Sequence, residues 1–203
     1  MIDFINKYKV LLETKWGLFK KKNHYFFNGE MPFISDKAKL NVFFDSLDEK
    51  EINKLEIDFN IIMPNELRFF LKQTNGCRLF FGSFNIFGIQ LFPNDLFEAY
   101  DFRKENIRFS VESGVESARN DFFFFATFGC DYYFAYKKSE MKKIYCFKRG
   151  TFLSVTEYED FDAFFNHFFW GLMEEYSIDC RKIHINPEDE NVPVLAHLTS
   201  ELF

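Results

Sequence analysis

Ile5, Tyr8, Leu12 and Trp16 recur at three- and four-residue intervals, which predicts an amphipathic helix over residues 2 to 16, ended by Gly17. Between residues 18 and 45 the pattern breaks into short apolar runs, "HYFF" and "LNVFF", around Asn28-Gly29. A hairpin or an irregular extension is expected there. "SLDEKEINKLEIDF" opens on Ser46-x-x-Glu49, a capping-box spacing, and places Ile52, Leu55 and Phe59 on one helical face. "MPNELRFFLKQTNG" then reads as a helix. Pro64 fits its first turn, Met63, Leu67, Phe70, Leu71 and Thr74 form its buried stripe, and Asn75-Gly76 supplies a left-handed residue to end it. Phe69 falls on the opposite side, where it is either covered by residues 18 to 45 or left exposed as an anchor for a partner.

From Arg78 the period shortens towards two. "RLFFGSFNIFGIQLF" predicts two short strands broken by glycines. "PNDLFEAYDFRKEN" predicts a connecting helix with Leu96, Phe97 and Tyr100 inward, and the polar residues 108 to 120 predict a loop. Residues 121 to 158 read as a four-strand meander, with the doubly apolar strand 122 to 127 central and covered on both sides. Residues 159 to 176 give the clearest helix. Phe161, Phe164, Phe165, Phe168, Leu172 and Tyr176 share a stripe, Glu157, Glu159, Asp160 and Asp162 crowd its positive end, and Trp170 points away. The tail, with two prolines and an acidic cluster, is expected to lie along the surface or remain mobile. The expected fold is α+β, a mixed α/β single domain with a mostly antiparallel sheet of about six strands and helices packed against it. Its parts are an N-terminal helix and extension over 1–45, a core over 46–178 and a tail over 179–203.

Composition narrows the functional classes. A domain of 203 residues holding 32 phenylalanines and nine tyrosines has more apolar surface than its core needs, so some aromatics are expected near the surface. A net charge of −6 with lysines interspersed among acids opposes a nucleic-acid partner and favours a basic protein partner. The one compact cationic run, Lys20 to Lys22, reads as a solvated face. The start of the chain lacks a cationic leader and a small-residue cleavage site, and no apolar run reaches the ~18 residues of a membrane span, so a cytoplasmic location without membrane association is expected.

Candidate chemistry is sparse. Cys77, Cys130, Cys146 and Cys180 are far apart with no C-x-x-C pair, which fits reduced thiols rather than a zinc site. Cys130, between Gly129 and Asp131, reads as a buried turn cysteine more than as a nucleophile, because nothing in the spacing fixes a base beside it. No phosphate loop, nucleophile elbow or H-E-x-x-H pattern occurs. A non-enzymatic protein with no cofactor and no metal is expected.

The stretch "EINKLEIDFNIIMPNELRFFLKQTNGC" resembles the signature of the SUKH superfamily, which includes bacterial toxin-immunity proteins and fungal cell-wall-assembly regulators. Glu56, Met63-Pro64, Phe70-Leu71 and Asn75-Gly76 occupy the motif positions, with Met63 in place of the usual leucine. Downstream, "FATFGCDYYFAYK" is similar to the family's hairpin through Gly129 and Asp131, and "EDFDAFF" to the start of its terminal helix. Tyr136 stands where many members carry a second aspartate. The resemblance implies an immunity protein that binds and neutralises a cognate toxin domain, a basic nuclease being the class that fits an acidic exterior. Phe69, Trp170, Asp131, Glu98 and Asp101 are then the candidate partner-binding residues, in a monomer or weak homodimer. Glu56, Pro64, Asn75, Gly76 and Gly129 are the structural residues of the motif. The alternatives are a regulatory scaffold of the cell-wall type, a small-molecule-binding domain and an enzyme of unrecognised type.

Overall fold

A computed structural model describes residues 4–91, 99–112 and 118–183. Helix α1 (Phe4–Trp16) precedes strands β1 (Lys20–Lys22), β2 (Tyr25–Glu30) and β3 (Lys39–Phe44). Helices α2 (Glu49–Phe59) and α3 (Asn65–Gln73) follow, then β4 (Cys77–Leu79) and β5 (Phe84–Ile86). After α4 (Phe102–Glu112) and the short α5 (Ala118–Asp121) come β6 (Phe122–Phe128), β7 (Tyr132–Lys137), β8 (Ile144–Lys148), β9 (Ser154–Tyr158) and α6 (Phe161–Glu175). The nine strands form one sheet in chain order, each neighbouring pair antiparallel. Among the described residues no helix is long and apolar enough to cross a membrane.

The two-sided burial of β6 follows from its sequence, since a strand with no polar face must be covered twice. On one face Phe84 and Phe134 meet Phe164 of α6 at ring distances of 5.5 and 4.8 Å, and Phe168 at 5.5 and 4.9 Å. Tyr8 of α1 lies beside them, 4.7 Å from Phe165 and 4.5 Å from Phe169, with its hydroxyl donating to Asn166 Oδ1 at 2.5 Å. Phe70 of α3 reaches Phe161 at 5.5 Å. On the other face Phe109 of α4 packs against Phe124 and Tyr133 at 3.9 and 4.9 Å. Each fully buried ring is worth about 1.5–3 kcal/mol by area alone, so this aromatic double layer is the dominant favourable term.

Several expectations need correction. The sheet has nine strands rather than about six, because residues 20–44 supply three full strands. Asn28-Gly29 lies inside β2 and not in a turn: Asn28 pairs with Asn41, and Gly29 at φ +66° lets Leu40 approach where a Cβ would stand 2.7 Å from that side chain's own Cβ. The α2 capping box is Asp48–Glu51, two residues later than Ser46–Glu49, with reciprocal hydrogen bonds of 2.8 Å. Glu49 is instead paired with Arg68 and Lys72. The residues expected to loop from 108 are helical to Glu112, because Phe102, Asn106 and Phe109 keep helical spacing and are all buried. Cys130 is exposed, not buried. Most of the tail, from 184 onward, lies outside the described residues, as do Leu96 and Phe97.

On α6, the buried His167 Nε2 has no hydrogen-bond partner among the described residues, and burial holds the imidazole below its ordinary value of 6.5. The unfolded chain therefore binds the proton first as pH falls. The neutral imidazole's contribution is complete above the unfolded pKa and is lost as pH drops through 6.5 towards the folded one. Melting temperatures measured from about pH 7.5 to 5.5 are expected to fall more steeply for the wild type than for His167→Phe. Parallel curves would remove this role from His167.

Candidate functional site

The family-like segment builds a corner between α2 and α3. Asn60 ends α2 in the left-handed region at φ 50°, its N–H returning to Glu56 and Ile57 carbonyls. The Glu56 carboxylate then accepts from Met63 N–H at 2.8 Å through Oε1 and from Arg68 Nη1 at 2.7 Å through Oε2. Pro64 caps α3 with φ −54°, so the corner has little freedom. Ile57, 200° around the helix from the buried Leu55, and Ile62, within the connection, are left 79% and 86% exposed.

The turn between β7 and β8 faces this corner. Its backbone is fixed by Lys138 N–H to Asp121 O at 2.7 Å and Met141 N–H to Lys137 O at 2.7 Å. Lys138 lies half-buried above the Phe59 ring at 6.0 Å, and burial lowers its ammonium's pKa. Corner and turn enclose an open groove of about 900 Å³, lined among others by Ile57, Ile62, Pro64, Lys138, Glu140 and Met141. Arg68 is paired with Glu56 and Glu49, and Arg103 with Asp58, so the guanidinium charges beside the corner are compensated. The lining mixes apolar Ile57, Ile62 and Met141 with polar Asn53, Asn60 and Glu140, a balance that protein-contact surfaces share.

Asn75-Gly76 serves a different purpose from the cap that spacing predicts. Helix α3 ends at Thr74, which is already extended at φ −158°, and the left-handed residue Gly76 at φ +78° comes two positions later. Asn75 is buried, donates Nδ2 to Ile89 O at 2.7 Å and accepts from Ile89 N–H at 2.6 Å. Gly76 and Gly88 admit the two backbones to each other: a Cβ on Gly76 would lie 2.5 Å from Ile86 O, and one on Gly88 2.3 Å from Asn75 O. The pair clasps α3 to the strand β5 and its exit.

The other predicted site residues are dispersed. Phe69 is half-buried on α3, and Trp170 is 44% exposed on α6, edge-on to Phe169 at 5.7 Å. Asp131 is exposed in the β6–β7 turn, where its carbonyl accepts from Arg149 N–H at 2.6 Å. Asp101 starts α4, its carboxylate accepting from Arg103 and Lys104 N–H at 3.0 and 3.2 Å. Glu98 lies outside the described residues. Gly129 takes φ +56° with open space around it, so conformation alone favours glycine. Among the described residues no hydrogen bond, ion pair or ring contact joins any two of Phe69, Trp170, Asp131 and Asp101. Sequence reasoning missed Ile57 and Ile62; their signal was two isoleucines off the buried stripe beside the motif proline.

Among the described residues no group of three or more histidines, cysteines or carboxylates could hold a metal ion. Cys77 and Cys146 are buried, with thiols pushed up to about 12 by burial. No curated protein matches the chain. The profile of the SMI1 / KNR4 family (SUKH-1) matches residues 46–167, a span that begins before α2 and ends within α6, and so takes in the corner, the clasp and the β6–β9 meander. The chain therefore belongs to the SMI1 / KNR4 family (SUKH-1).

Proposed function

We propose that this chain is a non-enzymatic immunity protein that neutralises a cognate toxin domain by occluding it, acting in the compartment where it is made. The family covers both immunity proteins and cell-wall regulators and is generally one of binding domains. The observation that carries the reading is the pair Ile57 and Ile62, which stand 79% and 86% exposed on a corner locked by Glu56 and Pro64. Bulky apolar side chains on a rigid frame lose little entropy on docking and make good anchors. The net charge of −6 supports a basic partner, a nuclease domain being the class that needs a cationic face.

The test is co-purification with the toxin domain encoded in the neighbouring reading frame, together with a toxicity assay. Stable complex formation and restored growth are expected. Ile62→Asp is expected to weaken binding at least tenfold, about 1.4 kcal/mol, without changing the melting temperature. Full affinity in that variant would move the contact away from the groove, and neither complex nor protection would end the immunity reading.

A further inference from the structure

At the end of β7 remote from the groove, a second and more enclosed cavity of about 320 Å³ lies between α4 and the sheet. It arises from a row of cross-strand neighbours, Arg78, Asn85, Thr127, Tyr133 and Phe147, paired in register across β4 to β8. Three consecutive polar positions interrupt a face that is otherwise aromatic. Residues before and within α4 close the space from above, through Tyr100, Glu105 and Arg108.

Two acceptors in this cavity are unspent. Asn85 is 3% exposed, and its Nδ2 is oriented by donating to Gly82 O at 2.7 Å, a carbonyl that can only accept. Among the described residues its Oδ1 is then left buried with no partner. Glu105 is 8% exposed, and among the described residues the nearest cation to its carboxylate is Arg108 Nη1 at 3.7 Å, beyond hydrogen-bond length. The nearby guanidinium groups are committed elsewhere, that of Arg78 lying over the Tyr100 ring at 5.1 Å. Arg149 grips Glu112 with Nε and Nη2 at 2.9 and 2.8 Å, and Arg108 Nε reaches the same carboxylate at 2.9 Å. Those hydrogen bonds hold Glu112 below the usual carboxylate range, whereas Glu105 is raised, burial being the largest cause. At the mouth, Phe81 adopts a positive φ of 57°, a conformation that bulky residues rarely take.

An anion would bring further acceptors against Asn85 Oδ1 and Glu105. A cation with N–H donors satisfies both, and the Tyr132 ring in the lining suits its stem and its charge, the Tyr100 ring already carrying Arg78. We propose that this cavity binds an alkylguanidinium or alkylammonium group, held between the Glu105 carboxylate and Asn85 Oδ1. The source is either a free small amine or a single side chain of a bound protein.

Cys130 lines the cavity and is exposed while the other three thiols are buried, so a trifluoromethyl tag on Cys130 of the full chain reports on this site. Agmatine and Nα-acetyl-L-argininamide are expected to shift the fluorine signal saturably with midpoints of about 1–10 mM, as suits ligands of this size. Nα-acetyl-L-citrullinamide, neutral and of nearly the same shape as the arginine derivative, is expected to be at least tenfold weaker. In Glu105→Gln, which keeps the side-chain volume, the agmatine midpoint is expected to rise at least tenfold. A peptide with arginine flanked on both sides distinguishes the sources: saturation by peptide and agmatine alike assigns the cavity to a partner's side chain, and by agmatine alone to a free molecule. No saturable shift with either cation, or an equal response to citrullinamide in the wild type, overturns the proposal. Because the cavity and the groove are separate, this outcome is independent of Ile62→Asp and of toxin binding.

Discussion

Gly76→Ala is expected to cost about 3 kcal/mol of stability, from two sources that add at the same atom. At φ +78° an L side chain costs about 1 kcal/mol or slightly more. The new Cβ would also lie 2.5 Å from Ile86 O and 2.9 Å from Phe87 O, backbone atoms held in β5 and its exit that cannot rotate away. Overpacking of this kind costs about 1–3 kcal/mol. The melting temperature of a chain this long is then expected to fall by roughly 6–12 °C. Gly129→Ala is the internal control, because Gly129 has a similar φ of +56° and nothing within 4 Å of its Cβ position. It isolates the conformational part, about 1 kcal/mol. Equal losses in the two variants would show that the clasp against β5 carries no packing cost.

The contrast between those glycines shows what a sequence can and cannot carry. Helix α6 and strand β6 were legible because local pattern decides them: Phe161, Phe164, Phe165 and Phe168 make a stripe whatever they pack against, and five apolar residues in a row need two covers. The Asn-Gly at 75–76 reads locally as a helix cap, and a local cap would have sufficed. Its actual role is set by Ile89, 14 residues away, whose N–H and C=O both bond to the Asn75 amide. The same holds at Asn28-Gly29, where the turn signal is overridden by Asn41 Nδ2 donating to Asn28 Oδ1 at 3.0 Å across the β2–β3 pair. The groove was half legible. Its frame is in the motif, but its other wall is the turn at residues 138–141, which no spacing near the motif announces. The cavity at Asn85 was not legible at all, since Arg78, Asn85 and Thr127 become neighbours only through strand register.

Glu56→Ala is the second large effect, and it tests the frame of the groove directly. The carboxylate accepts two hydrogen bonds, and the consequences of losing them differ. Arg68 keeps Asn53 Oδ1 at 2.6 Å and its pairing with Glu49, so its charge remains compensated. Met63 is 3% exposed, and its N–H loses the one partner it has among the described residues. A buried donor left unsatisfied costs about 1–3 kcal/mol, and adding the lost charge-assisted bond to Arg68 brings the expected total to about 2–3 kcal/mol. Glu56→Gln keeps an amide oxygen for Met63 and is expected to lose no more than about 1 kcal/mol. Hydrogen exchange separates the two variants at one atom: Met63 N–H protection is expected to collapse in the alanine variant and to persist in the glutamine variant. Partner affinity is expected to follow that protection, because Ile62 hangs from the same connection. If the alanine variant keeps the Met63 amide protected, Glu56 does not hold the corner, and the rigidity of the groove must come from Pro64 and the packing of α3 alone.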